Sequence, residues 1–135
     1  MLMPKRTKYR KQQRGKNRGV ASRGTKVSFG EYGLMSLDNC ALTSRQIEAA
    51  RKAITHHVLK GGKIWIRVFP DHVVTQRPAD SRMGKGKGAP ALWVAKVRAG
   101  KVLFELSGLA GAAAQKALLS AGHKLPCHVK FVAAE

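Results

Sequence analysis

The chain has 135 residues, with 26 Lys and Arg against 7 Asp and Glu, and a formal net charge of +19. This length fits one domain, and the 44% of hydrophobic residues is enough for a core. The charge is too one-sided for an ordinary soluble enzyme and indicates a permanent polyanionic partner, with nucleic acid the first candidate. An anionic membrane surface is the second, but the sequence has no membrane-spanning apolar run, amphipathic basic helix or secretory signal.

Residues 1–26 are predicted to form a basic arm. This segment carries ten Lys and Arg and no acidic residue. Because so few of its residues are apolar, burial cannot offset the entropy of ordering it, and we expect disorder until a partner binds. A solubilising tail is the alternative, although solubility does not need ten cations. The arm residues predicted to bind RNA are Lys5, Arg6, Lys8, Arg10, Lys11, Arg14, Lys16 and Arg18.

Residues 27–135 are expected to fold as one domain. A short strand is predicted at 27–30, followed by core-facing Tyr32, Leu34 and Leu37. Thr43 and Gln46 then match a capping box, which predicts the start of a helix. The apolar residues of that helix recur at three- and four-residue spacing, at Ile47, Ala50, Ile54 and Val58.

The other faces of this first helix are almost entirely positive, and Glu48 is the acid among them. A surface helix usually mixes both signs, so this pattern favours an RNA-facing surface over a plain solvated face. The glycines at 61–62 are expected to end the helix. The helix residues predicted to bind RNA are Arg45, Arg51, Lys52 and Lys60.

The side chains of residues 63–69 alternate between two faces, and both faces are largely apolar. This pattern predicts a central strand that ends at Pro70. Trp65 lies within it and is expected to pack in the core, with base stacking as the alternative. Residues 71–76 lead on from this strand into the following loop.

A loop at 77–90 alternates Gly with Lys and is closed by prolines at both ends. It has almost no apolar surface to bury, but its backbone N–H groups and ammonium charges suit phosphate oxygens. We therefore expect it to protrude from the folded body, with a flexible solvated hairpin loop as the alternative.

The remaining elements complete the predicted fold. Residues 92–97 and 102–106 are expected to pair as a hairpin around the turn at 98–101. An Ala-rich helix follows at 109–121, and a last strand at 127–132. The order predicts an α+β, two-layer sandwich of a mixed or antiparallel sheet with two helices on one face.

An enzyme would need a constellation of reactive groups, and the sequence contains none. The Gly-Lys loop lacks the Ser or Thr of a phosphate-binding P-loop, and the acids are scattered. His56 and His57 are adjacent, which does not match zinc-site spacing.

Cys40 and Cys127 lie far apart and are expected to be small buried or half-buried thiols in a reducing compartment. We predict no catalysis, cofactor, metal or small-molecule substrate. A free RNA-binding or RNA-chaperone module is the alternative function.

Several strings of the sequence match one family in order. They include PKRTK at 4–8, RQIEAAR at 45–51, GKIWIRVFPD at 62–71 and RMGKGKG at 82–88. In these strings the chain resembles the large-subunit ribosomal protein L-sixteen family, in its bacterial and organellar form. The resemblance covers nearly the whole chain, although the Ala-rich helix at 109–121 departs from the usual pattern.

The resemblance implies a sandwich bound to large-subunit rRNA near the base of the central protuberance, beside the aminoacyl-tRNA site. It implies a role in late subunit assembly, with rRNA, tRNA and neighbouring large-subunit proteins as partners. It places the protein on a ribosome in the bacterial cytoplasm, the mitochondrial matrix or the plastid stroma. Arg82 stands where some members carry a hydroxylated arginine. The residues implied to approach tRNA and the peptidyl transferase region are Arg77, Arg82, Met83, Gly84, Lys85, Gly86, Lys87 and Gly88.

Overall fold

Nine helices and strands follow the arm in the computed structural model, which describes residues 2–58, 62–77 and 86–134. They are β1 (Tyr32–Ser36), β2 (Cys40–Thr43), α1 (Ser44–Thr55), β3 (Lys63–Ile66), β4 (His72–Gln76), β5 (Ala89–Val97), β6 (Val102–Ser107), α2 (Gly111–Gly122) and β7 (Val129–Ala133). None of the helices in these described ranges is long and apolar enough to cross a membrane.

The strands form two antiparallel sheets, with the orders β3-β6-β1-β7 and β2-β5-β4. The two helices pack against each other; α1 contacts strands of both sheets, and α2 contacts β1, β6 and β7. Their buried faces meet Leu34, Phe104 and Leu106 in one apolar core. The predicted α+β sandwich is confirmed, with its strands divided between two sheets instead of one.

The predicted hairpin of 92–97 with 102–106 is wrong. β5 pairs with β2 and β4, whereas β6 pairs with β1 and β3. The turn between them carries the chain from one sheet to the other, with Gly100 at φ +95° and its N–H bonded to the Ser36 carbonyl at 2.7 Å. A turn signal between two strand patterns does not specify which strands pair: here β5 pairs with the strand before it, β4, and β6 pairs with β1 and β3, which lie much earlier in the sequence.

The predicted central strand, β3, is an edge strand of the larger sheet, whose two inner strands are β6 and β1. Five consecutive β6 residues are buried, whereas the apolar residues of β3 are half-buried at the sheet edge. Both faces of β3 are apolar because one packs towards the core and the other meets the aromatic ring of Phe29. The strand β4, at His72–Gln76, was not predicted.

Residues 27–30 are also not a strand, and β1 starts at Tyr32. Their backbone N–H groups at 28–30 bond to the Glu105 carboxylate instead of to a neighbouring strand. Tyr32 is half-buried and Leu34 fully buried, as expected for core-facing positions, but Leu37 is 47% exposed. The chain turns directly after Ser36, which carries Leu37 out of the apolar face.

The predicted capping box of α1 is confirmed. Thr43 Oγ1 accepts the N–H of Gln46 at 3.1 Å, and Gln46 Oε1 accepts the N–H of Thr43 at 3.0 Å. The helix buries Ile47, Ala50 and Ile54 as its spacing predicts. It ends at Thr55, before the expected glycines, and residues 59–61 lie outside the described part of the chain.

Candidate nucleic-acid interface

The second half of the arm is held against the smaller sheet by hydrogen bonds to backbone groups. Asn17 Nδ2 donates to the carbonyls of Cys40 at 3.1 Å and Val97 at 2.9 Å, across β2 and β5. Ala21 N–H donates to the Ala99 carbonyl at 2.9 Å. The charge pattern of this segment gives no sign that the neutral Asn17 is an anchor, and this residue was not predicted. The disorder of the free arm stays a prediction.

The arm and the Gly-Lys loop meet at Lys87. Lys11 Nζ donates to the Lys87 carbonyl at 3.2 Å, and Lys87 Nζ donates to the Gln12 carbonyl at 2.5 Å. Close by in the arm, Arg14 donates to the carbonyl of Thr75 and its own carbonyl accepts from Lys96. Two basic segments 76 residues apart therefore join into one positive surface.

The loop leaves the body at the end of the β4–β5 hairpin, where Gln76 pairs with Ala89. Arg77 donates to the Gly86 carbonyl across the base of the loop. Gly88 is required here, because a Cβ would lie 2.7 Å from the Gln76 carbonyl carbon and oxygen. Four predicted site residues, Arg82, Met83, Gly84 and Lys85, lie outside the described residues, and modification of Arg82 stays a prediction.

The predicted cations that the structure describes are mostly on the surface. All eight arm residues from Lys5 to Arg18 are exposed, as are Arg45 and Lys52 of α1. Arg45 lines a cleft of about 510 Å³ beside Gln76 and Leu92, near the base of the loop. Lys60 lies outside the described residues.

Arg51 pairs with Glu48 on the surface of α1, and its contact with RNA stays a prediction. The guanidinium reaches the two carboxylate oxygens at 2.5 and 3.1 Å. These hydrogen bonds hold the pKa of Glu48 below its ordinary value. A phosphate would have to compete with that carboxylate, so Arg45 and Lys52 are the freer charges on α1.

A basic cleft of about 370 Å³ lies between β4, β5 and the arm. Its cations are Lys96, Lys101 and Arg67, the last paired with Glu105, and Asp71 and Gln12 also line it. Burial lowers the pKa of the neighbouring His72, and the charge of Lys96 lowers it further, so the imidazole is neutral near pH 7. The cleft suits a phosphate group. The cleft was not predicted, because the residues that line it share no local sequence pattern.

A fully buried acid, Glu105, lies beside this cleft. Its Oε1 accepts the N–H groups of Ser28, Phe29 and Gly30 at 2.8, 2.7 and 2.9 Å, and its Oε2 pairs with the Arg67 guanidinium. Burial by itself would raise the pKa of Glu105, but the three N–H groups and Arg67 outweigh it, so the pKa is lowered. The carboxylate is therefore ionised at neutral pH, and its hydrogen bonds hold residues 28–30 against β6.

The family model of ribosomal protein L16p/L10e matches residues 4–132 of the chain. The chain belongs to this family. It is therefore a structural, rRNA-binding protein of the large ribosomal subunit and acts in translation as part of a ribonucleoprotein. The match includes the arm, both sheets and the loop, so the basic surface described above lies within the residues matched to the family.

The L-sixteen family is a family of structural ribosomal proteins. No group of three or more His, Cys, Asp or Glu among the described residues of this chain is placed to hold a metal ion.

The two cysteines of this L-sixteen family protein are brought together, which their spacing did not suggest. Both are free thiols, Cys127 buried and Cys40 half-buried. A hydrogen bond between them raises the pKa of Cys40 and lowers that of Cys127 to about 6. The Leu37 N–H donates to the His128 carbonyl at 2.8 Å, which holds the two segments side by side.

Proposed function

We propose that this protein binds large-subunit rRNA near the base of the central protuberance and borders the aminoacyl- and peptidyl-tRNA sites. There it supports tRNA positioning and late subunit assembly. The contact between Lys11 and Lys87 supports this most directly. The resemblance directs the arm to rRNA and the loop towards tRNA, and this contact joins the two segments.

The proposed roles follow the chemistry of each segment. The exposed arm cations neutralise rRNA phosphates, and Arg45 and Lys52 add charge from α1. The loop carries positive charge towards tRNA and takes no part in catalysis. Its residues in this role are Arg77, Arg82 and residues 83–88. Arg82 is the loop residue suited to planar, bidentate phosphate contacts.

The partners proposed are rRNA, tRNA and neighbouring large-subunit proteins, on a ribosome of the bacterial cytoplasm or of an organelle. A lysate is sedimented on a gradient at moderate and then high salt, and the protein is detected by blotting. We expect it with large subunits and intact ribosomes after the salt wash. Recovery at the top of the gradient would favour the free RNA-binding alternative.

Two variants separate the arm from the loop in that experiment. Replacing Lys5, Arg6, Lys8 and Arg10 with Gln leaves the anchored residues 17–24 intact and should reduce incorporation into subunits. Arg82→Ala should leave incorporation intact and reduce translation by the assembled ribosomes. Equal loss of incorporation in both variants would contradict the division of roles.

A further inference from the structure

Phe29 is an exposed aromatic residue with an unusually well-fixed backbone. Its side chain is 62% exposed, yet its N–H is bonded at 2.7 Å to the fully buried Glu105. Single exposed apolar residues are common on protein surfaces and need no special role. What distinguishes Phe29 is that a buried charge determines where it lies.

The ring is also held by its neighbours. The Trp65 ring lies 6.3 Å from it, centroid to centroid, with an interplanar angle of 21°. The Arg67 guanidinium carbon lies 4.9 Å from the Phe29 centroid. Trp65 and Arg67 are two residues apart in extended chain, so their side chains project to the same side of the sheet. We call Phe29, Trp65 and Arg67 the aromatic platform.

The aromatic platform depends on the buried carboxylate of Glu105, whose desolvation is unfavourable. Removing a carboxylate from water is unfavourable unless hydrogen bonds and an opposite charge compensate it. Glu105 has three N–H donors and Arg67, and all four belong to the platform or to the loop that carries Phe29. These hydrogen bonds and this ion pair therefore fix the position of the exposed Phe29 ring. An apolar residue at position 105 could pack in the core but could not hold the ring in this way.

The surroundings of the platform favour a nucleotide over an apolar protein partner. Arg67 also lines the basic cleft, together with Lys96, Lys101 and the 46% exposed Phe69. An aromatic face beside a cluster of cations matches an unpaired nucleotide, whose base stacks while its phosphate is neutralised. A protein surface docking on Phe29 would have to desolvate these charges.

We propose that the aromatic platform is a stacking site for one unpaired base of the RNA that this protein binds. The inference rests on the proposed function for the identity of that RNA as rRNA. The base contacts the exposed surface of Phe29, while the contacts of Trp65 and Arg67 with the Phe29 ring hold it in place. The flanking phosphate lies in the basic cleft.

The direct test measures binding of the full chain to single-stranded oligoadenylate across a range of salt concentrations. Phe29→Leu keeps an apolar side chain but loses the π face, and should weaken binding about tenfold with an unchanged salt slope. Phe29→Trp should retain the affinity. Leu37→Ala is the matched control, because Leu37 is also exposed but has no π face, and its affinity should equal that of the wild type.

A second measurement uses assembled large subunits that contain Phe29→Leu. Acylation of the rRNA 2′-hydroxyl groups should find one nucleotide that is more reactive than in wild-type subunits, because loss of the stack makes that nucleotide more mobile. Oligoadenylate binding equal to that of the wild type, or loss of subunit incorporation with normal RNA affinity, would overturn the stacking site; the second result would indicate a protein contact. Because oligoadenylate binding does not require ribosomes, failure of the wild type to co-sediment would reject the proposed function separately.

Discussion

Glu105 and Phe29 are 76 residues apart in the sequence and joined by a 2.7 Å hydrogen bond from the Phe29 N–H to the Glu105 carboxylate. The acid is fully buried and the aromatic side chain is largely exposed. The interior of the protein therefore determines the geometry of part of its surface. This arrangement makes Glu105 the residue whose replacement should affect both stability and the RNA-facing surface.

Glu105→Gln should lower the free energy of unfolding by about 3 kcal/mol, the usual cost of breaking a buried ion pair. Glutamine keeps the shape and one acceptor for the N–H groups of residues 28–30, but its amide faces the Arg67 guanidinium without a charge to balance it. Urea denaturation of the isolated protein measures this change. Glu48→Gln breaks the exposed pair with Arg51 and serves as control, with a small expected effect. Similar losses in both variants would contradict the role of burial.

The same carboxylate should make stability depend on acid pH. The folded-state pKa of Glu105 is below its ordinary value of 4.5, so its contribution is complete above that value and is lost as pH falls through the folded pKa. Hydrogen bonds from His128 likewise lower the pKa of Asp38. Unfolding measured between neutral and acid pH should show a decline that Glu105→Gln reduces but does not abolish. An unchanged decline in Glu105→Gln would argue against this linkage.

Gly88→Ala should destabilise the protein by about 2 kcal/mol, as expected for overpacking against rigid backbone. The new Cβ would lie 2.7 Å from the carbonyl group of Gln76, so the end of the β4–β5 hairpin has to shift. Gly86→Ala is the matched control, since a Cβ there has no atom within 4 Å. Thermal or urea unfolding of the two variants compares them directly. Equal stability would mean that the hairpin end adapts freely.

Lys87→Ala should loosen the arm around Gln12. The variant loses the hydrogen bond from Lys87 Nζ to the Gln12 carbonyl, whereas Lys5→Ala removes one exposed charge further along the arm. Where each lysine contacts a phosphate, its loss should reduce the salt slope of RNA binding by roughly 0.7 to 0.9. Backbone mobility at residues 11–14, measured by ¹⁵N relaxation, should increase in Lys87→Ala alone. An equal increase in both would show that the contact with Lys87 does not hold the arm.

Cys40→Ala should raise the pKa of Cys127 from about 6, because the hydrogen bond from Cys40 stabilises the Cys127 thiolate. The wild type should therefore form its first thiolate at a lower pH than the variant does. Ultraviolet thiolate absorbance followed against pH measures this without requiring access to the buried sulfur. Superimposable titrations would show that the two thiols do not interact.

Local features of the sequence were sufficient for much of the fold. The capping box at Thr43 and Gln46 and the stripe at Ile47, Ala50 and Ile54 predicted α1 because its start and its buried face depend on residues within one or two turns. The run of alanines with Leu118 and Leu119, ended by Gly122, likewise predicted α2 to within a few residues. The strand pairing was not predictable in this way, since β6 is buried by partners on both sides that no local period identifies.

The sequence by itself determined the class of protein. Its charge, its basic arm and its matched strings predicted an RNA-binding member of a ribosomal family, and the family match at 4–132 confirms that membership. Only the tertiary structure decided which residues meet: Lys11 with Lys87, Phe29 with Glu105, and Cys40 with Cys127. Charge and periodicity are properties of neighbouring residues, whereas these contacts join segments more than 70 residues apart. They arise because packing two sheets and two helices on one core brings their loops to the same places on the surface.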